Sequence, residues 1–586
     1  MRKIALVVAL LLASLSFSQQ LSTAEKHFYF YKVWNFTKYY HPALAKGTVN
    51  ADTLFFKNLP VLDKVASNGE FDLFIKNYLK ALPKKALVSN ATPSSGKLLV
   101  KNKDQKWFKS GKLFSKEAKS ELEEIFDKRY QDSIHYYIPD INFVADIPNE
   151  GEYKIDKSLN LPYALRMLTL AKLQGAVDYL FPHKYLMDND FDKVLQQNVP
   201  LFASCESRLD YEKLLLKVTS NFNDTHSYKF IKQLQFKNEI FKSYSFPPFA
   251  YSVFDDKIIV TDLIVAEDCA KANIKTGDII TAINGESVKD LVNRLAGMLA
   301  VSNQTTLRFR LSDYYANLIF QSADGNFQLT FTEHKKNTIK ALAFITGKDT
   351  EKIEFVENYV NATFPDKRTD DKLDLISGDI AYFNINETYR FIENAEENKI
   401  NQKMDSILSL AASKKGIVFD MRAYPDWGGF VHTFTLRKFG KIPNRYADYF
   451  RVNKKEIGTY SLNDQEDNYY DPNLKTEHFN YKGKVVIIIN PETLSMSEWN
   501  TMNLQHVFKN SVTIGEQSAG ADGDEKMLHL PGGYNFNFTG NAIFYTDGKE
   551  AQRAGVKIDK KMPLTPENVL KKDYLLEEAV KIINQK

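Results

Sequence analysis

The stretch VVIIINPETLSMSEWN, Val485 to Asn500, is where the reading of this chain is decided. Val485 to Ile489 are apolar without interruption, which suits a strand covered on both faces in a mostly parallel sheet. Pro491 and Glu492 break the run. From about Ser497 the apolar positions Trp499, Met502, Leu504 and Val507 follow helical spacing, with Ser495 and Ser497 at the start. Serine is a favoured helix N-cap and Glu498 suits the first turn, so capping alone accounts for these letters. Open parallel sheets also place their active sites just beyond the carboxyl ends of strands. The remainder of the chain has to choose between the two.

At 586 residues the chain is too long for one core, and three or four domains are expected. Its 44% apolar and 26% charged residues are those of a globular protein. The net charge of +4 is small for this length and the basic residues are scattered, which excludes an electrostatic case for nucleic acid. The start, MRKIALVVALLLASLSFSQQ, combines Arg2 and Lys3 with an apolar stretch to Leu15 and small residues before Gln19. This is the pattern of a secretory signal over residues 1–18, too short to span a bilayer. No later run is long and apolar enough for a transmembrane segment, so an exported, periplasmic or secreted protein is expected. Cys205 and Cys269 are the two cysteines, no disulfide framework, and the ten histidines show no ligand spacing. No metal or other cofactor is expected.

Two helical segments align without a gap. Lys32 matches Lys172, Tyr39 matches Tyr179, Pro42 matches Pro182, Asp52 matches Asp192, Asn58 matches Asn198 and Pro60 matches Pro200, all displaced by 140 residues. A duplicated helical unit is expected. The second copy runs on into NFNDTHSYKF, whereas the first has PKKAL, with Ala86 where His226 stands. A scaffold needs that histidine in neither copy. From about 245 to 345 the texture is β-like: DKIIVTDLI, TTLRFRL and FQLTFTEH read as strands. AKANIKTGDIITAINGESV, with a Gly277-Asp278 turn and an Asn284-Gly285 hairpin turn, resembles a PDZ domain. That resemblance implies a groove that takes an extended peptide or C-terminus by strand addition, around Ile274, Lys275 and Gly277. From about 372 strands and helices alternate, giving an α/β layer with a largely parallel sheet. The expected organisation is a multidomain α+β chain: signal 1–18, helical region 19–160, helical cap 161–240, PDZ-like domain 241–347 and α/β core 348–586.

Taken together, DMRAYPDWGG, SMSE, GEQSAGADG and NDTHS resemble the C-terminal processing (tail-specific) serine proteases, in the branch of the tricorn core and interphotoreceptor retinoid-binding protein. The resemblance implies a ClpP/crotonase-like core and an endopeptidase acting on polypeptides, with no statement about oligomeric state. It implies Ser495, the first Ser of S-x-S-E, as nucleophile. Ala521 stands where many members have a lysine base, so the base implied is His226, with Thr225 in place of an orienting hydroxyl. The third relay member falls on Gln552, with Glu550 two residues earlier as the other choice. Backbone donors to the substrate carbonyl are implied at Met496 and at Gly428 or Gly429; the loop carrying the glycines is two residues longer than the family pattern, with Tyr424 or Pro425 where asparagine is expected. The rival reading is a binding protein for peptides or small apolar ligands that kept the fold, and a third is an adaptor working through the PDZ-like domain alone.

Overall fold

The structure is a computed structural model that describes residues 21–139, 145–333, 336–363, 368–440, 445–463 and 481–585. The expected signal segment, 1–18, lies outside the described residues. Contacts divide the chain into two compact units. The first comprises residues up to Asn221 with Phe450–Leu462 and Asp524–Asn541; the second holds Phe222–Tyr449, Asn463–Gly523 and Ala542–Lys586. His226 falls in the second unit, as does Ser495. Among the described residues no helix is long and apolar enough to cross a membrane, and no group of His, Cys, Asp and Glu could hold a metal. Cys205 and Cys269 are buried free thiols.

The first unit is built on helices whose starts keep the 140-residue displacement: Thr23–Tyr40 and Tyr163–Gly175, Ala51–Asp63 and Phe191–Ser204, Asn68–Lys80 and Arg208–Thr219. Their caps correspond as well. Asn50 and Asp190 cap the second pair, and Ser67 and Ser207 cap the third. The two segments exchange charges. Lys32 pairs with Asp178 at 2.8 Å and Asp192 at 2.9 Å, while Lys172 pairs with Glu150 at 3.1 Å and lies 3.9 Å from Asp52. Tyr39 and Tyr179 meet between them, ring centroids 4.7 Å apart. The hairpin Glu525–Leu530/Tyr534–Thr539 completes this unit.

In the second unit, residues 249–343 form an antiparallel sheet in the order Phe249–Val253, Ile258–Leu263, Ile279–Ile283, Asn326–Glu333, Lys336–Ala343. Asn284 and Gly285 both take positive φ, 50° and 83°, as a two-residue hairpin turn requires. The segment TTLRFRL is not the strand its alternation suggests. It lies in a helix, Gln304–Leu311, because Asn303 caps it, accepting from the Thr306 amide at 2.9 Å, and because Leu307 and Leu311, one turn apart, are both buried.

The core sheet of this unit has six strands in sequence order: β1 (Asp374–Ile376), β2 (Ile380–Asn384), β3 (Gly416–Asp420), β4 (Lys484–Ile489), β5 (Val512–Gly515) and β6 (Lys560–Lys561). Only β1 runs antiparallel to its neighbour. Helix α1 (Met496–Val507) follows β4, and α2 (Tyr574–Asn584) closes the chain. Val485, Ile487 and Ile489 pack with Ile417, Phe419, Trp499, Met502 and Leu504 on one face. Val486 and Ile488 pack with Val418, Ile514, Leu575, Ala579 and Ile583 on the other. Each face needs its own apolar set, which is why β4 has no polar alternation.

Candidate active site

The carboxyl ends of β3 and β4 are tied together. The Met421 amide donates to Ile488 O at 2.9 Å. Its carbonyl accepts from Thr493 Oγ1 at 2.8 Å and from Ser497 Oγ at 3.0 Å. Ser497 is thereby a buried structural hydroxyl, and the two serines of the motif part company. Ser495 lies two residues earlier, half-buried, at φ 54° and ψ −115°. A helix cap takes extended backbone. A positive φ on a non-glycine residue costs about 1–3 kcal/mol and is typical of a sharp strand-to-helix turn that thrusts a nucleophile out of the backbone. Met496 supplies the first amide of α1, which has no partner within the helix.

Glu498 holds this turn. The carboxylate, 0% exposed, accepts from the Ser495 amide (3.2 Å), Ser518 Oγ (2.6 Å), the Gly520 amide (2.8 Å) and the Ala521 amide (3.0 Å). Burial pushes its pKa up from the ordinary glutamate value, and these four donors pull it back. Gly520 can take part because it sits at φ 66° with its α-carbon against the Arg553 backbone, where a side-chain carbon would lie 2.8 Å from that chain. Ala521, the position of the family lysine, thus contributes a backbone donor.

The same loop reaches the histidine segment. Thr225 Oγ1 donates to Ala519 O at 3.0 Å, and the Ala519 amide donates to Thr493 O at 3.0 Å. Thr225 and Ser302 clasp each other, each amide donating to the other's hydroxyl at 3.0 Å. The Thr225 hydroxyl is therefore occupied by Ser302 and Ala519, so it fixes the backbone of the segment on which His226 rides. His226 is 1% exposed and follows Asp224, the cap of the 3-10 turn Thr225–Gln233. Asp224 Oδ1 accepts the His226 amide at 3.2 Å and lies 3.7 Å from His226 Nδ1. Gln552 Nε2 approaches the same oxygen at 3.5 Å, so Gln552 reaches the aspartate rather than the imidazole. Glu550 pairs its backbone with Phe544.

The glycine loop after β3 is anchored at its extra length. Arg422 pairs with Asp420 and Asp573, each at 2.6 Å. Asp426 accepts from Thr388 Oγ1 at 2.9 Å and the Thr388 amide at 3.0 Å. Tyr424 is exposed and Pro425 buried. Gly428 is exposed with open space where a side chain would be, whereas Gly429 is close-packed, its would-be side chain 2.6 Å from Trp427 Nε1. In the antiparallel domain, Gly277 takes φ 92° and its amide donates to Val260 O at 2.8 Å, with Lys275 exposed beside it. Ile274 is buried, so its side chain packs the domain interior.

Sequence reasoning left Glu498 as a first-turn acid and gave Asp224 and Ser518 no part. The signal for Glu498 was its place in S-x-S-E; for Asp224 it was the two-residue step to the only histidine in NDTHS. Residues 379–562 match the family model of peptidase family S41, a span that includes Ser495, Gly428, Gly429 and Gln552 but not His226. No curated protein matches the chain. Among solved structures it is similar to mature CPAF complexed with lactacystin (12% identity, 72% of this chain and 97% of that chain, TM-score 0.50), a likeness of fold. Similar too are a putative peptidase from Parabacteroides merdae (12% identity, 73% and 98%, TM-score 0.37) and the photosystem II D1 C-terminal processing protease (14% identity, 72% and 97%, TM-score 0.33).

Proposed function

We propose that Ser495 is the nucleophile and His226 the general base of this serine-type peptidase, whose residues 379–562 match the family model of peptidase family S41. The observation that carries the assignment is the backbone of Ser495, held at positive φ at the end of a doubly buried strand. His226 takes the hydroxyl proton as Ser495 Oγ attacks the scissile carbonyl, then returns it to the leaving amine. The oxyanion that forms meets the Met496 amide and an amide of the Gly428–Gly429 pair, each donor worth roughly a hundred- to a thousand-fold in rate. Thr225 fixes the base through Ser302 and Ala519. The Ala519–Thr493 contact couples that base to the nucleophile turn.

The substrate is a polypeptide, presented as an extended segment or a C-terminus. The antiparallel domain acts as a PDZ-like guide beside the Lys275–Gly277 turn, and the leader at 1–18 exports the chain. The helical segments of the first unit are two copies of one ancestral element, in keeping with their shared displacement and exchanged charges.

The test is cleavage of an unstructured protein by the chain starting at Gln19, across pH 5 to 9, beside Ser495→Ala and His226→Ala. Cleavage that rises with pH through the neutral range and vanishes in both variants is expected. Either variant cleaving at the wild-type rate would sink the assignment.

A further inference from the structure

The relay implied by resemblance lacks its acid: position 552 carries an amide where a carboxylate stands in the tricorn branch. We propose that Asp224 supplies it, as the positioning residue that holds and polarises His226. The inference rests on Ser495 and His226 being the reacting pair.

Two donors converge on one oxygen of a side chain that is 0% exposed, and a ring nitrogen faces the same oxygen. Asp224 Oδ1 takes the His226 amide at 3.2 Å and Gln552 Nε2 at 3.5 Å, and it faces His226 Nδ1 at 3.7 Å. A carboxylate beside Nδ1 keeps the ring proton on that nitrogen, which leaves Nε2 as the atom that accepts from a serine hydroxyl. When the proton moves from Ser495 Oγ to Nε2, the ring becomes an imidazolium, and the new positive charge forms beside the Asp224 carboxylate. The charge is not exposed to water, and it is therefore little screened.

The placement explains Gln552. A glutamate there would set a second carboxylate about where the amide now lies, within 3.5 Å of Asp224, and like charges at that range cannot both ionise cheaply. An amide donates instead, and steadies the aspartate. The acid has moved from one side of the histidine, at position 552, to the chain just before it.

Asp224 also caps the 3-10 turn through the His226 amide, and the test has to separate that role from the electrostatic one. Asn caps as well as Asp, so Asp224→Asn in the full chain keeps the cap and deletes the charge. With a fluorophore-labelled unfolded protein as substrate, kcat is expected to fall about 10²- to 10⁴-fold with KM within threefold. In the double variant Asp224→Asn/Gln552→Glu a carboxylate returns from the other side, and at least a tenfold recovery over Asp224→Asn is expected. Asp224→Asn within threefold of wild type, or a double variant no faster than the single, overturns the proposal. Ser495→Ala and His226→Ala run alongside: if either keeps wild-type activity, the serine–histidine assignment itself fails and takes this inference with it. If both are inactive while Asp224→Asn is not, only the role of Asp224 is lost.

Discussion

Ser207 and Ser495 begin helices with the same pattern, a serine and an acid three residues on (Ser-Arg-Leu-Asp and Ser-Met-Ser-Glu), and yet the two starts are built differently. Ser207 is extended, at φ −134° and ψ 160°, and its hydroxyl accepts the Asp210 amide at 3.0 Å while donating to the Asp210 carboxylate at 2.6 Å. Everything is settled within four residues. Ser495 sits at φ 54°, and the acid three residues on accepts its amide at 3.2 Å and also collects donors from Ser518, Gly520 and Ala521. The one serves its own helix. The other is held in an unfavourable backbone with the help of a loop more than twenty residues distant, and that difference is what the proposed nucleophile rests on.

The comparison breaks most visibly in activity. Ser495→Ala is expected to lower kcat at least about 10⁴-fold, while Ser207→Ala leaves the rate of protein cleavage within twofold. Equal losses in both would mean that Ser495 is merely another cap.

Acid separates the surroundings of the two serines. The unit that contains Ser207 also buries His41 and His135, each accepting a backbone amide at Nδ1, from Ala43 at 3.2 Å and Tyr137 at 3.1 Å. Burial lowers both to about 4. With the folded value below the unfolded one of about 6.5, the unfolded chain binds the extra proton. Stability is then full above pH 6.5 and drains as the pH falls toward 4, on the order of 3 kcal/mol per histidine. Urea unfolding between pH 7 and 4 measures this, and His41→Asn, which keeps an acceptor that does not titrate, is expected to flatten the slope.

Glu498→Gln sharpens the contrast at the other start. It keeps the shape but presents an NH2 to a site surrounded by donors, and a loss of about 1–3 kcal/mol in unfolding free energy is expected, together with reduced cleavage. Asp210→Asn, whose partners are local and exposed, is expected to cost less than about 1 kcal/mol.

The smallest effect has opposite signs at the two serines. Ser207→Ala removes a cap and is expected to cost about 1 kcal/mol. Ser495→Gly relieves a positive φ and is expected to gain roughly 1 kcal/mol in a protein that no longer cleaves. Thermal melting of the two variants side by side reads both.

The contrast also marks what was legible in the letters. Burial on both faces of β4, the sharp turn after it and the Asn284-Gly285 hairpin are all local patterns, and each has its counterpart in the structure. The helix at Gln304–Leu311 was not legible, since T-L-R-F-R-L alternates like a strand and the deciding cap, Asn303, lies outside that alternation. Nor was the backbone of Ser495, which no glycine announces. Beyond their neighbours Ser495 and His226, Glu498 meets donors 20 to 23 residues away and Asp224 one 328 residues away. Periodicity reports which face is dry, and says nothing about which distant donor a buried acid will meet.

The exchange of charges between the helical segments has a consequence in time. Lys32 finds its carboxylates only on the second segment, and Lys172 lies against Asp52 of the first. Lys184 of the second segment also meets Asp178 and Asp192, whereas Lys32 has no acid partner until that segment is made. At a synthesis rate of about 5–20 residues per second, the first segment waits roughly 7 to 30 s for the residues that complete it. For that interval Lys32 and Tyr39 lack the groups that meet them in the folded chain.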